Sequence, residues 1–70
     1  MTDSIHKKLE IIGTSSKSVE DAISKAVAKA SSTVRQLEWF EVTEIRGRVT
    51  GNQIDQYQVG LKVGFKLEED

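Results

Sequence analysis

The absence of crosslinks is the feature that most constrains how this chain can fold. Its 70 residues include no cysteine and a single histidine, so neither a disulfide nor a thiolate or histidine-cluster metal site can stabilise it. A domain of this size buries only about 60% of the surface that its unfolded chain exposes, and it usually needs additional stabilisation. The sequence therefore predicts association with further copies of the chain, or a bound ligand.

The charge balance excludes several classes of partner. Lys plus Arg number 10 and Asp plus Glu number 11, which gives a formal net charge of -1 at pH 7. General nucleic-acid binders and proteins that bind anionic membranes need a net basic field. The longest apolar run is Ala26-Val27-Ala28, too short for the apolar region of a signal peptide or for a membrane span. We expect a soluble protein of the cytoplasm.

Hydrophobic periodicity predicts four elements in one domain, residues 1–70. Alternation of apolar and polar residues indicates strands over about residues 5–12, 39–49 and 54–67, and a helical stripe covers about residues 18–33. Residues 50–53, Thr-Gly-Asn-Gln, are typical of a hairpin turn. The order β-α-β-β predicts an α+β fold of two layers, in which one face of a three-stranded antiparallel sheet packs on one helix.

The helix carries the clearest signals. Ser18 and Asp21 form a capping-box pattern, in which the hydroxyl accepts from a free N–H and the carboxylate favours the positive end of the helix. Apolar residues then recur on one helical face: Val19, Ala22, Ile23, Ala26, Val27, Ala30 and Val34. Because alanines form part of this stripe, we expect the helix backbone to lie close to the sheet.

The strand that begins near Trp39 breaks its own alternation. Phe40 and Val42 occupy even positions, whereas Ile45 occupies an odd one, which indicates a β-bulge near Thr43–Glu44 or partial burial of both faces. Trp39 and Phe40 are adjacent, so their side chains point to opposite faces of the sheet. We expect Phe40 to pack inside and Trp39 to face a ligand or another subunit.

Residues that could support catalysis are not arranged for it. The glycines match neither a dinucleotide-binding nor a P-loop pattern, and the serines lie in turn and cap contexts. We interpret His6 as a solvated strand residue and the acidic end, Glu68-Glu69-Asp70, as a solvated tail. The sequence favours a binding protein over an enzyme.

Four residues on the polar face of the predicted hairpin are candidates for a binding site: Trp39, Arg46, Gln58 and Lys66. Trp39 offers a π surface for a flat ring, and the amide of Gln58 has a donor beside an acceptor. Arg46 and Lys66 suit a phosphate. The four would converge if the strands pair around the 50–53 turn. In the alternative interpretation, Trp39 fills an oligomer interface and the cations are solvated.

Several segments together carry a family resemblance. They are Leu9-Glu10-Ile11-Ile12-Gly13-Thr14-Ser15, Leu37-Glu38-Trp39-Phe40-Glu41-Val42, Glu44-Ile45-Arg46-Gly47, Tyr57-Gln58-Val59 and Val63-Gly64-Phe65-Lys66-Leu67-Glu68. The sequence resembles the dodecin family over almost its whole length, from Ile5 to Glu68, with no obvious insertion. The Trp-Phe-Glu-Val and Val-Gly-Phe blocks make the resemblance specific.

The resemblance implies a β-α-β-β subunit whose sheet wraps around its helix, assembled as a hollow dodecamer that binds flavins in pairs at two-fold axes. It implies that Trp39 and its symmetry mate stack on the flavin rings, and that Gln58 bonds their pyrimidine-like edge. Arg46 and Lys66 would reach the phosphate of FMN. Lys66 stands where arginine is common and lacks the bidentate fork, so riboflavin and FAD stay open as ligands.

The function that the resemblance implies is flavin storage or buffering, with quenching of flavin photochemistry. Two alternatives stay open. One is an oligomeric assembly protein that binds no flavin, or that binds coenzyme A. The other is a single-strand nucleic-acid module, against which the balanced charge counts, built from Arg46, Arg48, Lys62, Lys66, Trp39 and Tyr57.

Overall fold

The computed structural model describes residues 3–67. The elements follow in the order β1 (His6–Ser15), α1 (Val19–Thr33), β2 (Leu37–Thr50) and β3 (Gln53–Lys66). The predicted α+β fold is confirmed, although β1 continues to Ser15 instead of ending near residue 12. The acidic end predicted to be a solvated tail lies outside the described residues. Within residues 3–67, no helix has the length and apolar character needed to cross a membrane.

The sheet places the last strand in its centre. Its order is β1-β3-β2, and β3 pairs antiparallel with both neighbours. The register between β2 and β3 shifts between Val42 and Glu44, which confirms the bulge predicted near Thr43–Glu44. The extra residue of the bulge reverses the alternation of side chains along β2. Its helix-facing residues therefore have even numbers directly before the bulge and odd numbers directly after it.

The β2–β3 turn has the backbone that a tight hairpin requires. Gly51 has a φ of 57° and Asn52 a φ of 68°. Positive φ at both central residues is the signature of a type I′ turn, whose twist matches that of the flanking strands. Glycine adopts this conformation without strain, and asparagine tolerates it better than most residues. The turn therefore fixes the register of the hairpin on which the candidate residues lie.

The helix starts with the predicted cap, but the carboxylate has a different partner. The Ser18 hydroxyl accepts from the backbone N–H of Asp21 at 3.0 Å. The Asp21 carboxylate does not return to Ser18; it accepts from the hydroxyl of buried Ser15 at 2.6 Å and pairs with Lys25 at 3.0 Å. These bonds hold the pKa of Asp21 below its usual value, with the Ser15 bond the largest cause. The helix start is thereby attached to the end of β1.

Three helix alanines and three β3 residues form the core. Ala22, Ala26 and Ala30 are buried against the side chains of Val59, Leu61 and Val63, each of which is 0% exposed. Gly13 of β1 permits the close approach predicted for this helix, because a Cβ atom there would lie 2.9 Å from the Cβ of Ala26.

Most side chains of β2 are exposed to solvent in the single chain. Phe40 pairs with Val63 and therefore faces the helix side of the sheet, as the alternation predicts. The prediction that Phe40 packs inside is wrong for the single chain, because Phe40 is 48% exposed and lines an open groove of about 610 Å³ beside the helix. The alanine stripe sits over β1 and β3, so the short helix does not reach across β2. Val42, Ile45 and Val49 are exposed on the same side.

Candidate functional site

The indole of Trp39 lies flat on the outer face of the sheet, the side away from the helix. Trp39 pairs with Gly64 of β3, and a Cβ atom built at Gly64 would collide with the Cε2 and Cζ2 atoms of the indole and lie 2.7 Å from its Cδ2. Because Gly64 has no side chain, the indole ring can occupy the space directly above this residue. Trp39 is 39% exposed, which leaves part of the indole free for another flat molecule.

The far side of the indole reaches β1. The ring of His6 lies 5.1 Å from the ring of Trp39, centroid to centroid, with 46° between their planes. His6 Nε2 donates to Glu38 Oε1 at 2.8 Å. His6 lies on a strand, as the sequence predicts, but it is not fully solvated: its side chain is 26% exposed and contacts a candidate site residue.

Arg46 and Gln58 are directly bonded. They are register partners on β2 and β3, and Arg46 Nε donates to Gln58 Oε1 at 2.8 Å. The amide nitrogen of Gln58 donates to Gln56 Oε1 at 2.9 Å, so both ends of the Gln58 amide have a partner. Glu44 lies 3.8 Å from an Arg46 nitrogen. The two hydrogen bonds fix the orientation of the Gln58 amide, with its oxygen towards the Arg46 guanidinium.

Lys66 lies at the Trp39 end of the sheet. It follows Gly64 by two positions on β3, so it faces the same side as the indole, and its register partner on β1 is His6. The lysine places one positive charge near the edge of the Trp39 surface. As a point charge on a flexible stem, it can follow a phosphate without fixing its orientation.

The four candidate residues do not converge within one chain. The register separates Gly64, beneath Trp39, from Gln58 by six positions of β3, which corresponds to about 20 Å along a strand. Trp39 and Lys66 therefore form one group, and Arg46 with Gln58 forms another. The expectation that hairpin pairing brings all four together is wrong for a single subunit.

Paired charges cover the sheet between the two groups. Lys8 Nζ lies 2.9 Å from Glu41 Oε1, and this bond is the main cause that lowers the pKa of the Glu41 carboxyl. Lys62 is the register partner of Glu41 and lowers the same pKa further. Within residues 3–67, no three His, Asp or Glu side chains are grouped closely enough to hold a metal ion. The outer face is thus polar and largely neutral between an aromatic end and an amide–guanidinium end.

Sequence reasoning missed Gly64, His6 and Gln56 as parts of these groups. The sequence does carry a signal for Gly64, which alternates onto the polar face with Lys62 and Lys66. A glycine between two long side chains leaves a gap that an aromatic ring can fill. His6 and Gln56 carried no such signal. Their contacts depend on the register of three strands, which periodicity alone does not give.

Comparison with known proteins gives the family. The chain matches the Dodecin family over residues 5–68. It is 51% identical over 65 residues to the dodecin of Thermus thermophilus, which covers 93% of this chain and 94% of that protein. The structure of dodecin from Streptomyces coelicolor superposes with a TM-score of 0.93, at 46% identity, over 100% of both chains. A Thermus thermophilus dodecin variant with tryptophan changed to phenylalanine gives a TM-score of 0.90 at 48% identity, over 96% of this chain and 100% of that one.

Fold and site together define a small α+β subunit that carries two separate groups of candidate binding residues on the outer face of its sheet. The chain belongs to the dodecin family. Membership supports a small flavin-binding protein that assembles as a homo-oligomer. The resemblance seen in the sequence is thereby confirmed, and it extends over the whole fold.

Proposed function

We propose that this protein binds FMN in pairs, each pair held between the Trp39 indoles of two subunits, and that it stores flavin and quenches its photochemistry. The observation that carries the proposal is the seat of Trp39. The indole lies flat over Gly64 and is 39% exposed on the outer face, so it presents a ring surface and not an edge. Stacking between offset aromatic rings contributes about 0.5–1.5 kcal/mol beyond the free energy gained by burying their surface.

The second group of residues supplies directional bonds. Gln58 is held by Arg46 and Gln56, so its amide meets an incoming ring already oriented. A preorganised group loses less side-chain entropy on binding than a free one. We assign Gln58 to the pyrimidine-like edge of the flavin, which carries donors and acceptors side by side. Because Trp39 and Gln58 of one chain lie about 20 Å apart, the two contacts to one flavin come from different subunits.

Arg46 and Lys66 contribute the charge that favours a phosphate. Arg46 still has free guanidinium N–H groups after its Nε bond to Gln58, since arginine carries five donors. Lys66 lies beside the Trp39 surface. FMN is therefore the flavin we propose, because riboflavin has no phosphate for these cations to bind.

Quenching follows from contact between indole and flavin. Trp39 would hold its electron-rich indole in contact with a bound flavin, and reversible electron donation from the indole to the excited ring would quench the excited state without net oxidation. A flavin that lies between one indole and the second flavin of the pair would have no space beside its ring faces for a substrate, which favours binding over catalysis.

Assembly as a dodecamer supplies the second copy that the site requires. The exposed apolar residues of β2 are the surface that such contacts would cover: Phe40, Val42, Ile45 and Val49. Contiguous exposed apolar surface marks an interaction site. The helix of the same chain does not cover this surface, so a neighbouring subunit would bury it in the oligomer.

Size-exclusion chromatography with visible absorption tests the proposal. Purified protein incubated with excess FMN and then separated should elute as one large oligomer that carries the yellow flavin band, at about one flavin per subunit. A large particle that elutes colourless would contradict flavin binding and favour an assembly protein without flavin. The same run with coenzyme A, followed by its adenine absorption, distinguishes the alternative ligand.

A further inference from the structure

Within residues 3–67, His6 is the one aromatic residue whose ring lies against Trp39. The two residues lie on β1 and β2, which flank β3, and neighbouring strands are about 4.8 Å apart. Their rings nevertheless come within 5.1 Å, because the indole extends over Gly64 across the central strand. This separation lies within the range of about 4.5–7 Å at which aromatic pairs attract each other.

A carboxylate fixes the imidazole in this place. Glu38 lies where the β2–β3 register shifts between Leu37 and Trp39, so it has no paired residue on β3. Its side chain reaches across the sheet and accepts from His6 Nε2 at 2.8 Å. Glu38 and Trp39 are consecutive residues, and both contact His6. His6 therefore contacts both the indole and the side chain of the residue that precedes Trp39 on β2.

The charges around His6 come from all three strands. Glu38 faces it from β2, and Lys66 is its register partner on β3. Lys8 follows on the same face of β1, where it is bonded to Glu41. The helix lies on the other side of the sheet. One carboxylate at hydrogen-bond distance is thus the direct partner of the imidazole.

We propose that His6, held by Glu38, is a positioning residue for Trp39 that sets the tilt of the indole at the ligand surface. This inference rests on the proposed flavin site. An indole that His6 already holds in place is oriented when the flavin arrives, so less conformational freedom is lost on binding.

The flavin-free protein provides the first test. Trp39 is the only tryptophan of the chain, so tryptophan emission reports on this ring alone. We expect loss of the imidazole in His6→Ala to change the wavelength and intensity of this emission in the flavin-free oligomer, and His6→Phe, which keeps a ring against the indole, to stay nearer to wild type. Lys7→Ala is the matched control, since Lys7 is next to His6 but on the opposite face, and it should behave as wild type. Emission from His6→Ala that equals the wild-type emission would overturn the inference.

Flavin affinity provides the second test. His6→Ala and Glu38→Ala should each bind FMN about threefold to tenfold more weakly than wild type, the range expected for one aromatic contact. Glu38→Gln keeps an acceptor oxygen and should recover most of the affinity, and His6→Phe keeps a ring and should lie near wild type at pH 8. Equal FMN affinity in wild type and His6→Ala would refute the positioning role and leave the proposed function intact. FMN binding to none of the proteins would refute the proposed function, and the flavin-free emission would still decide whether His6 acts on Trp39.

Discussion

The indole of Trp39 rests on Gly64, with the Cδ2 atom of the ring 2.7 Å from where a Cβ atom of that residue would lie. The two residues are register partners on adjacent strands. The contact explains how a large aromatic side chain can lie flat on the sheet at a position that is flanked on β3 by the long side chains of Lys62 and Lys66. It also makes a glycine without any polar atom part of the binding surface.

Changing Gly64→Ala should displace the indole and leave the fold in place. Gly64 has no positive φ, so alanine suits its backbone, and the three heavy atoms nearest to the added methyl group all belong to Trp39. We expect FMN affinity to fall by about tenfold or more, in line with the cost of overpacking. Gly60→Ala is the control, because its added atom would meet the movable side chains of Thr43 and Glu44 at 3.2 Å and beyond. Equal FMN affinity in the two variants, measured by calorimetry, would contradict the seat proposed for Trp39.

Changing Gln58→Glu should remove a donor that the flavin edge needs. The new carboxylate would still pair with Arg46, so the strand geometry is kept, but the amide nitrogen is lost. A buried flavin acceptor left without a donor costs about 1–3 kcal/mol, which corresponds to an affinity loss of about fivefold to 150-fold. Gln53→Glu makes the same chemical change at the hairpin end and should bind FMN as wild type does. Unchanged binding by Gln58→Glu would exclude Gln58 from the flavin contact.

Lys66 should discriminate between flavins by their phosphate. Lys66→Ala is expected to weaken FMN binding by about threefold to thirtyfold, the range for a charge-assisted bond that is partly exposed. Riboflavin binding should change little, because riboflavin has no phosphate. The FMN preference of wild type should also decrease as salt is raised, since ions screen exposed charges. A parallel loss of FMN and riboflavin affinity would show that Lys66 acts on the ring or on the fold instead.

Acid should destabilise the protein through Asp21. The Ser15 hydroxyl and Lys25 hold the pKa of this carboxyl below its value in the unfolded chain. A lowered folded-state pKa contributes stability that is present above the unfolded pKa, near pH 4, and is lost as pH falls through the folded-state value. Asp21→Asn should therefore lower the urea midpoint at about pH 7, and its difference from wild type should shrink as the pH falls below about 4. Protein concentration must be constant, since oligomer stability depends on it.

Glu20→Gln provides the comparison for the acid prediction. Glu20 precedes Asp21 in the first turn of the helix, so its removal changes the same helix end by the same charge. It lacks the bond to Ser15. If both variants show the same dependence of the urea midpoint on pH, the effect belongs to the charge of the helix end and not to the Ser15–Asp21 bond.

Most of the fold could be predicted from the sequence, because it depends on local signals. The alanine stripe of the helix, the alternation of β3 and the parity change at Thr43 each describe one element by itself, and each is confirmed. The end of β1 was not predictable in this way. Gly13, Thr14 and Ser15 have the composition of a turn, yet they continue the strand because β3 pairs with them and the helix needs a residue without a side chain at Gly13.

The residues of the candidate site could be proposed from the sequence, but their arrangement in space could not. Trp39 was assigned to the outer face from its position next to Phe40. The distance between Trp39 and Gln58 depends on where the hairpin turns and on the bulges along it, and the sequence leaves those positions open within a residue or two. Phe40 was placed on the correct side of the sheet. Its exposure could not be predicted, since it depends on where the helix crosses the strands.

A fluorescence titration of FMN with flavin-free oligomer tests the central claim most directly. FMN emission should fall to a small fraction of its free value at saturating wild-type protein. Trp39→Ala should abolish most of the quenching, and Trp39→Phe, which keeps a ring but is a poorer electron donor, should bind FMN with weaker quenching. FMN that stays fully emissive at saturating wild-type protein, or that is quenched equally by Trp39→Ala, would contradict the stacking of flavin on Trp39.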